Sequence, residues 1–258
     1  MVLALINRLS RWTELTVEDQ AILADIPGET IRLARGCCPL RNPDPQHRSL
    51  ILIDGAAARC KDLASGKRVI GELLLPGDVL LATRHPDTSL QTVMLSPGAV
   101  RLVADAHMAA LLDHPRIGAA LDWAISVQAS IHRGWLINIG ANQAYSRLAH
   151  LLCEIAARMN SAGLLDGDSC AMPLTQADLA DALSMTQTHC NIALQRLRAA
   201  NLIQLKHHML TIVDRRALEA VAQFDDDYLM RWPTELPDRR IHPRKAPARE
   251  RRRTDCVG

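Results

Sequence analysis

Leu174–Leu205 reads LTQADLADALSMTQTHCNIALQRLRAANLIQL and has the pattern of two short helices joined by a sharp turn. Thr175 is placed to cap the first helix, and Asp178, three residues later, is placed to complete a capping box. Ser184 occupies the turn, where glycine would adopt the required backbone conformation more easily. Thr186 is placed to cap the second helix. The stretch therefore predicts a helix-turn-helix.

The second helix is predicted to bury one stripe and to expose a polar face near its N-terminus. The buried stripe consists of Cys190, Ala193, Leu194 and Leu197. The exposed face consists of Gln187, Thr188, Asn191, Ile192 and Gln195. A recognition helix places its N-terminal residues against base edges in the major groove. Asn and Gln side chains pair with adenine, and Thr and Ile methyl groups suit the thymine methyl. This face is therefore predicted to read bases.

The residues that follow favour DNA binding over the alternative, an ordinary helical hairpin with a solvated face. LIQLKHHMLTIV, residues 202–213, predicts a β-hairpin wing with Lys206, His207 and His208 at its tip. His189, Arg196 and Arg198 are predicted to reach phosphates, together with the backbone amides at both helix starts. The predicted DNA-binding set is Thr175, Gln176, Thr186, Gln187, Thr188, His189, Asn191, Ile192, Gln195, Arg196, Lys206 and His207.

Upstream, the first third of the chain predicts β structure. Short β-prone segments recur, namely ETIRLA, SLILID, AAARCK, KRVIGELLL, LQTVML and GAVRLVA. Turn signals such as Asp54-Gly55 and Pro76-Gly77-Asp78 separate them. Several short strands at this spacing predict a small sandwich or barrel-like roll.

Between these two parts, a heptad pattern predicts a long helix. Its seam consists of Ile117, Leu121, Ala124, Gln128, Ile131 and Trp135. The pattern predicts a dimer interface, in which one polar Gln sets the register; a helix packed on its own domain stays open as the alternative. Asn138–Gly140 is predicted to be a hinge, followed by the amphipathic helix AYSRLAHLLCEIAARM.

These segments together resemble the Crp/Fnr superfamily of bacterial transcription regulators. The helix-turn-helix and its wing resemble that family's DNA-binding domain, and LILIDGAAARCKDLASGKRVIGELLLPGDVL resembles its sensory β-roll with the typical PGD turn. The resemblance covers residues 10–230 approximately. It implies an α+β fold, with an N-terminal double-stranded, jelly-roll-like β-roll, a long dimerisation helix and a C-terminal winged helix-turn-helix. It also implies a homodimer on a two-fold symmetric site in double-stranded DNA, with RNA polymerase as a further partner.

The resemblance divides the chain into four parts. Residues 1–107 form the cyclic-nucleotide-binding-type β-roll, 108–140 the dimerisation helix and hinge, and 141–230 the winged helix-turn-helix domain. Residues 231–258 form a basic tail, in which eight arginines and one lysine face four acidic residues, a net charge of +5. Its many Pro and Arg residues predict disorder. The tail either adds salt-sensitive phosphate contacts or serves only as a solubilising extension.

The chain departs from the family at its base-reading and effector-binding positions. Ile192 stands where the family commonly has an arginine, and Ile cannot make the bidentate contact of Arg with guanine. The sequence therefore predicts a half-site that differs from the family's usual one. In cyclic-nucleotide-binding members of that family, a Gly-Glu pair and an Arg-Ser/Thr-Ala run hold the ribose and the cyclic phosphate. Here Ser89-Leu90 stand near where that Arg would be expected, Arg84 and His85 precede this place, and Gly71-Glu72 comes too early in the chain. Cyclic AMP is therefore not expected as a ligand.

The seven cysteines predict no disulfide framework, because they are irregularly spaced and odd in number. They also predict no iron–sulfur cluster, because the usual cluster motifs separate their ligands, whereas Cys37 and Cys38 are adjacent. Adjacent Cys37 and Cys38 remain a candidate redox pair, whereas Cys153 and Cys190 are predicted to be buried apolar side chains. His207-His208 at the wing tip is more typical of a solvated hairpin than of a metal site. No metal and no firm cofactor is therefore assigned.

Composition limits the class of protein. The net charge is +2, only 3% of residues are aromatic, and no apolar run reaches the length of a membrane helix, which predicts a cytoplasmic protein with an aliphatic core. A cupin-like metalloenzyme is the alternative enzyme class, but the β region offers only the distant His47 and His85 as ligands. A regulator that acts only through protein contacts is the other alternative. The chain is not expected to be an enzyme.

Overall fold

The computed structural model describes residues 2–40, 44, 46–81 and 90–230. Two helices open the chain, α1 (Leu3–Trp12) and α2 (Val17–Ala24). Neither was predicted from the sequence, where the first third was expected to be β structure throughout. The apolar side chains of α1 are spaced for a helix, and Leu5, Leu9 and Trp12 pack into the core.

In the described part of the chain, seven strands then form two antiparallel sheets that face each other as a roll. The strands are β1 (Glu29–Leu33), β2 (Ser49–Asp54), β3 (Ala57–Asp62), β4 (Arg68–Leu74), β5 (Val79–Leu80), β6 (Gln91–Met94) and β7 (Gly98–Val103). One sheet has the order β1-β7-β2-β5 and the other β4-β3-β6. The predicted β-roll is confirmed, and its interior is aliphatic as expected.

The PGD turn joins the roll to α1. Gly77 has a φ of +89°, and a Cβ added there would lie 2.7 Å from the Ala4 carbonyl oxygen. Only glycine therefore combines this left-handed backbone with so close an approach of the helix. Asp78, the next residue, is buried and accepts a hydrogen bond from the Leu75 amide.

The helical part begins with α3 (Asp105–Asp113) and the long helix α4 (Pro115–Ala141), followed by α5 (Ala144–Ser161). The long helix does not end at the predicted hinge, because Asn138–Gly140 lie within it. The break falls at Asn142 and Gln143, whose backbones are extended. The hinge prediction is therefore displaced by a few residues.

The C-terminal part consists of α5, a helix pair and a small sheet. The remaining elements are β8 (Ser169–Ala171), α6 (Gln176–Ala182), α7 (Gln187–Ala199), β9 (Ile203–Lys206), β10 (Met209–Ile212), α8 (Arg215–Ala222) and α9 (Asp227–Met230). The sheet order is β8-β10-β9, so the predicted wing gains a third strand from the segment before α6. α5 packs on α7 and α8, which completes the domain. None of the described helices is long and apolar enough to cross a membrane.

Candidate nucleic-acid interface

The helix-turn-helix forms through the local interactions that its sequence predicts. The Thr175 hydroxyl accepts a hydrogen bond from the Asp178 amide, and the Asp178 carboxylate accepts one from the Thr175 amide at 2.8 Å. The Thr186 hydroxyl caps α7 by accepting from the His189 amide at 3.2 Å. Ser184 has a φ of +51°, the left-handed conformation that the turn requires. These contacts fix the starts of α6 and α7 and the turn between them.

The recognition helix α7 has the predicted burial pattern. Cys190, Ala193, Leu194 and Leu197 are at most 2% exposed and form its inner stripe. The twelve predicted DNA-binding residues are all exposed, and half of the Ile192 side chain is open to solvent. The polar N-terminal face of α7 is therefore exposed, as a base-reading face requires.

Two arginines on α7 are already held by neighbours. The Arg196 guanidinium lies over the Tyr145 ring, 4.6 Å from its centroid, in a cation–π contact. Arg198 is partly buried and leans toward the wing, its Nη2 3.5 Å from the Leu205 carbonyl oxygen. Stacking on Tyr145 fixes the position of the Arg196 guanidinium. Arg196 would therefore contact a phosphate from that position.

The wing turns tightly at its tip. His207 and His208 both have positive φ values, 49° and 58°, which non-glycine residues adopt at a cost. The His208 carbonyl oxygen accepts a hydrogen bond from the Met172 amide at 2.7 Å, so the tip is tied to the strand β8 side of the domain. Lys206, His207 and His208 all stay exposed there.

Arg147 connects the end of the long helix to the helix-turn-helix. Its Nη2 donates to the carbonyl oxygens of Ile139 and Asn142 at 2.8 and 2.9 Å. Its Nη1 donates to the Leu183 carbonyl oxygen, next to the turn, at 3.1 Å. Arg147 thus links the last turn of α4 directly to the turn between α6 and α7. Sequence patterns did not single out this residue, because its partners are carbonyl groups.

A buried ionic network joins the DNA-binding part to the roll. Arg158 on α5 donates to Asp78 at 2.6 Å and to Glu154 at 3.0 Å, and Arg8 on α1 also pairs with Asp78. The Trp135 indole on α4 donates to Glu154 at 2.8 Å. Burial alone would raise the pKa of Asp78, but the charges of Arg158 and Arg8 outweigh it and hold that pKa below its usual value.

The predicted dimer seam lies largely inside the chain. Ile117, Leu121, Ile131 and Trp135 are at most 6% exposed, because α4 packs against α1, α3, α5 and α9. Ala124 and Gln128 are partly exposed and line a cavity of about 140 Å³ between α1, the PGD turn and α4. The structure therefore favours the alternative for the four buried residues: that side of α4 packs on its own chain.

The free side of α4 carries another heptad series. Its exposed residues are Ala119, Asp122, Ser126, Ala129, Arg133, Leu136 and Gly140, which follow one another at intervals of three and four. Leu136 and the adjacent Ile137 are 74% and 68% exposed, more than most large apolar side chains of the described chain. The side chains on this side of α4 are therefore small or polar toward the N-terminal end of the helix and apolar toward its C-terminal end.

The roll holds an arginine that sequence reasoning missed. Arg59 on β3 is 5% exposed and pairs with Glu72 on β4 at 3.3 Å. Both line a cavity of about 500 Å³. Trp135 and Leu136 of α4 line it as well, together with Leu90, which directly precedes β6. A charged residue within the apolar run AAARC was the signal for it.

Arg84, His85 and Ser89, which the sequence analysis considered for an anion site, lie outside the described residues, and so does the tail of residues 231–258.

The cysteines divide by exposure. Cys37 and Cys38 are exposed, so the redox prediction stays open for this pair. Burial raises the pKa of the Cys60, Cys170 and Cys190 thiols to about 11 and that of Cys153 to about 12. Cys153 and Cys190 are therefore buried apolar side chains, as predicted.

Three acidic residues, Asp225–Asp227, are all exposed near the end of the described chain. One carboxylate oxygen of each lies within 4.8 Å of the others, which agrees with a solvated acidic turn.

Known proteins share this arrangement. Residues 146–221 match the Crp-like helix-turn-helix domain family, and a comparison with curated protein sequences finds no match. FixK2 from Bradyrhizobium japonicum is similar in structure with a TM-score of 0.66, over 76% of this chain and 98% of that one, at 22% identity. A CRP-family transcriptional regulator from Thermus thermophilus reaches a TM-score of 0.60, over 78% and 99%, at 17% identity.

A third relative is a CooA mutant from Carboxydothermus hydrogenoformans, with a TM-score of 0.58 over 83% of this chain and 94% of that one, at 12% identity. At these identities the similarity concerns the fold. The matched domain contains α6, the turn, α7 and the wing, which are the elements that expose the predicted base-reading face. The chain has the fold of the Crp/Fnr transcription regulators and carries their Crp-like helix-turn-helix domain at residues 146–221.

Proposed function

We propose that this protein is a sequence-specific DNA-binding transcription regulator that acts as a homodimer. The observation that carries the proposal is the exposed polar face at the N-terminal end of α7, inside a matched Crp-like domain. Asn191 and Gln187 offer amides for adenine, and Thr188 and Ile192 offer methyl groups for thymine. Thr175, Gln176 and the wing tip are proposed to contact the phosphate backbone.

The half-site is proposed to lack the guanine contact that an arginine would give. Ile192 is 50% exposed at the centre of this face, where it offers only apolar surface to a base edge. One bidentate Arg–guanine pair discriminates by about 1–3 kcal/mol, so its absence changes which bases are preferred. Asn191, Gln187 and the threonines then carry the selectivity, which favours a half-site richer in A·T pairs.

The homodimer is proposed to form through the free side of α4. A second copy of the helix, packed along the exposed series from Ala119 to Gly140, would bury Leu136 and Ile137. The small side chains in the series allow two helices to approach closely. This places the dimer surface on the opposite side of α4 from the seam that the sequence predicted.

The β-roll is proposed to sense a signal and to act on the helix-turn-helix through α4. The cavity beside Arg59 touches α4 close to the helix end that Arg147 ties to Leu183. Regulation requires two states that differ in DNA affinity. Because the target is genomic DNA and the output is transcription, the protein is proposed to work in the cytoplasm with RNA polymerase.

Selection of binding sites from random double-stranded DNA by the full-length protein tests this function. The expected product is a two-fold symmetric site with half-sites about 10 base pairs apart. Asn191→Ala should weaken binding to that site by about 10-fold, whereas Gln91→Ala, an exposed amide on β6, should leave it unchanged. Failure to enrich any sequence, with binding equal on all DNA, would contradict the proposal and favour a protein that acts through protein contacts.

A further inference from the structure

Two arginines of the roll reach across to the first helix of the helix-turn-helix. Arg35, in the turn after β1, places its Nη2 2.9 and 3.0 Å from the two carboxylate oxygens of Asp178. Arg68, at the start of β4, lies 2.7 Å from Asp178 and 2.8 Å from Asp181. Both aspartates belong to α6, so four charged groups connect the sensory part to the DNA-binding part.

These contacts matter because Asp178 has no access to solvent. Its side chain is 0% exposed, and it also serves the Thr175 cap inside α6. Burial alone would raise its pKa, but hydrogen bonds from Thr175, Arg68 and Arg35 together hold that pKa below its usual value. The arginines are less enclosed, at 41% and 28% exposure, so the contact borders on solvent.

The DNA-binding part is attached to the roll side of the molecule around α5 and again at α6. At α5 the buried pair of Arg158 and Asp78 is joined by hydrogen bonds from Asn7 and Arg11 of α1 to the carbonyl oxygens of Ala162 and Asn160. At α6 the two arginines are joined by packing of the helix on β4. Loss of the arginine contacts would leave α6 held to the roll by packing alone, while the contacts at α5 persist.

The orientation so fixed brings the predicted DNA contact Thr175 and the tip of the wing close to the roll. Thr175 and the wing-tip His208 line one side of a groove of about 510 Å³, and Asp54, Gly55 and Pro97 of the roll line it as well. A phosphate backbone that approaches Thr175 and the wing tip from this side would therefore lie against the roll. Asp54 is exposed there and would repel a phosphate.

We propose that Arg35 and Arg68 form an autoinhibitory latch, which holds α6 against the roll and keeps the helix-turn-helix from seating on DNA. A signal that shifts β4 or the turn after β1 would open it. The latch rests on the proposed DNA-binding function, since it regulates access of the same helices to DNA. The latch gives Arg35 and Arg68 a regulatory role, although they lie in the roll, which is not proposed to contact DNA.

Arg68→Ala in the full-length protein tests the latch, because simple electrostatics and the latch predict opposite results. Loss of a positive charge by itself weakens DNA binding. Release of the latch should instead strengthen binding to the selected site by about 5-fold or more. Lys67→Ala removes the neighbouring exposed charge, which has no role in the latch, and should leave affinity unchanged or slightly lower.

Small-angle X-ray scattering supplies a measurement that does not involve DNA. Arg68→Ala should have a larger radius of gyration than the wild type, and Lys67→Ala should not. Arg68→Gln, which keeps a hydrogen-bond donor beside Asp178, serves as a second variant if thermal melting shows that the alanine variant is unfolded. It should show the same changes to a smaller extent.

The outcomes separate the latch from the function. If the wild type binds its selected site and the Arg68 variants bind no tighter, the latch is wrong and the DNA-binding function stands. If neither wild type nor variants prefer any DNA sequence, the proposed function fails, and with it the inhibitory role of the latch. Tighter binding together with expansion in the Arg68 variants alone supports the latch.

Discussion

The Arg158 guanidinium lies 2.6 Å from the Asp78 carboxylate, and both side chains are almost completely buried. These residues are 80 positions apart in the chain, one on α5 and one in the PGD turn of the roll. Arg8 also pairs with Asp78, so two cations share one carboxylate while Glu154 balances Arg158. The contact therefore decides how the two halves of the protein meet.

Removal of the Asp78 charge should destabilise the protein strongly. Asp78→Asn leaves Arg8 and Arg158 without their common partner, and breaking a buried ion pair from one side costs about 3–5 kcal/mol. Urea unfolding gives the free energy of unfolding. Asp168→Asn is the matched control, because Asp168 pairs with Arg215 at 3.3 Å on the surface and its loss should cost below about 1 kcal/mol. Equal losses in the two variants would contradict the role of the buried network.

The contribution of Asp78 should vanish in acid. Its pKa is lowered in the folded state, so its stabilising effect is fully present above the unfolded-state pKa of about 4 and is lost as the pH falls through the folded-state pKa. The difference in unfolding free energy between wild type and Asp78→Asn should therefore be constant near neutral pH and shrink below about pH 4. Urea titrations across this range measure it. A difference that does not change down to the acid limit of folding would be inconsistent with this ion pair.

Ile192→Arg should change which bases are read. The position is half exposed in the middle of the proposed base-reading face, and a guanidinium there can pair bidentately with guanine. Binding-site selection with the variant should gain a guanine at one position of each half-site, worth about 1–3 kcal/mol of preference over the wild-type base. Ile192→Leu keeps the apolar character and should return the wild-type site. An unchanged site for the arginine variant would remove Ile192 from the base-reading set.

Leu136→Asp should weaken the proposed dimer. Leu136 is 74% exposed on the free side of α4, and an aspartate at that position would place two carboxylates close together when two copies meet. Sedimentation equilibrium should show at least a 10-fold higher dimer dissociation constant, corresponding to about 1.4 kcal/mol. Val17→Asp, at an 85% exposed position on α2, should leave it unchanged. A monomeric wild type, or a Leu136 variant that dimerises normally, would exclude this surface.

The amino-acid sequence by itself determined the helix-turn-helix. Its caps at Thr175 and Thr186, its turn at Ser184 and the stripe on α7 all depend on residues a few positions apart, whose interactions a linear pattern contains. The strands of the roll and the wing were equally readable from alternation and turn residues. The first two helices were missed, because the β signals that follow them dominated the N-terminal third.

Only the tertiary structure decided which side of α4 is free and how the two halves are joined. A heptad pattern shows that one side of a helix will be covered, but a neighbouring element of the same chain and a second copy cover it equally well. Arg158 with Asp78 and Arg68 with Asp178 are 80 and 110 residues apart, and at such separations a charged residue looks the same in the sequence whether it meets water or a partner. The fold brings these charges together, since burial removes their water and leaves each carboxylate dependent on the arginine it meets.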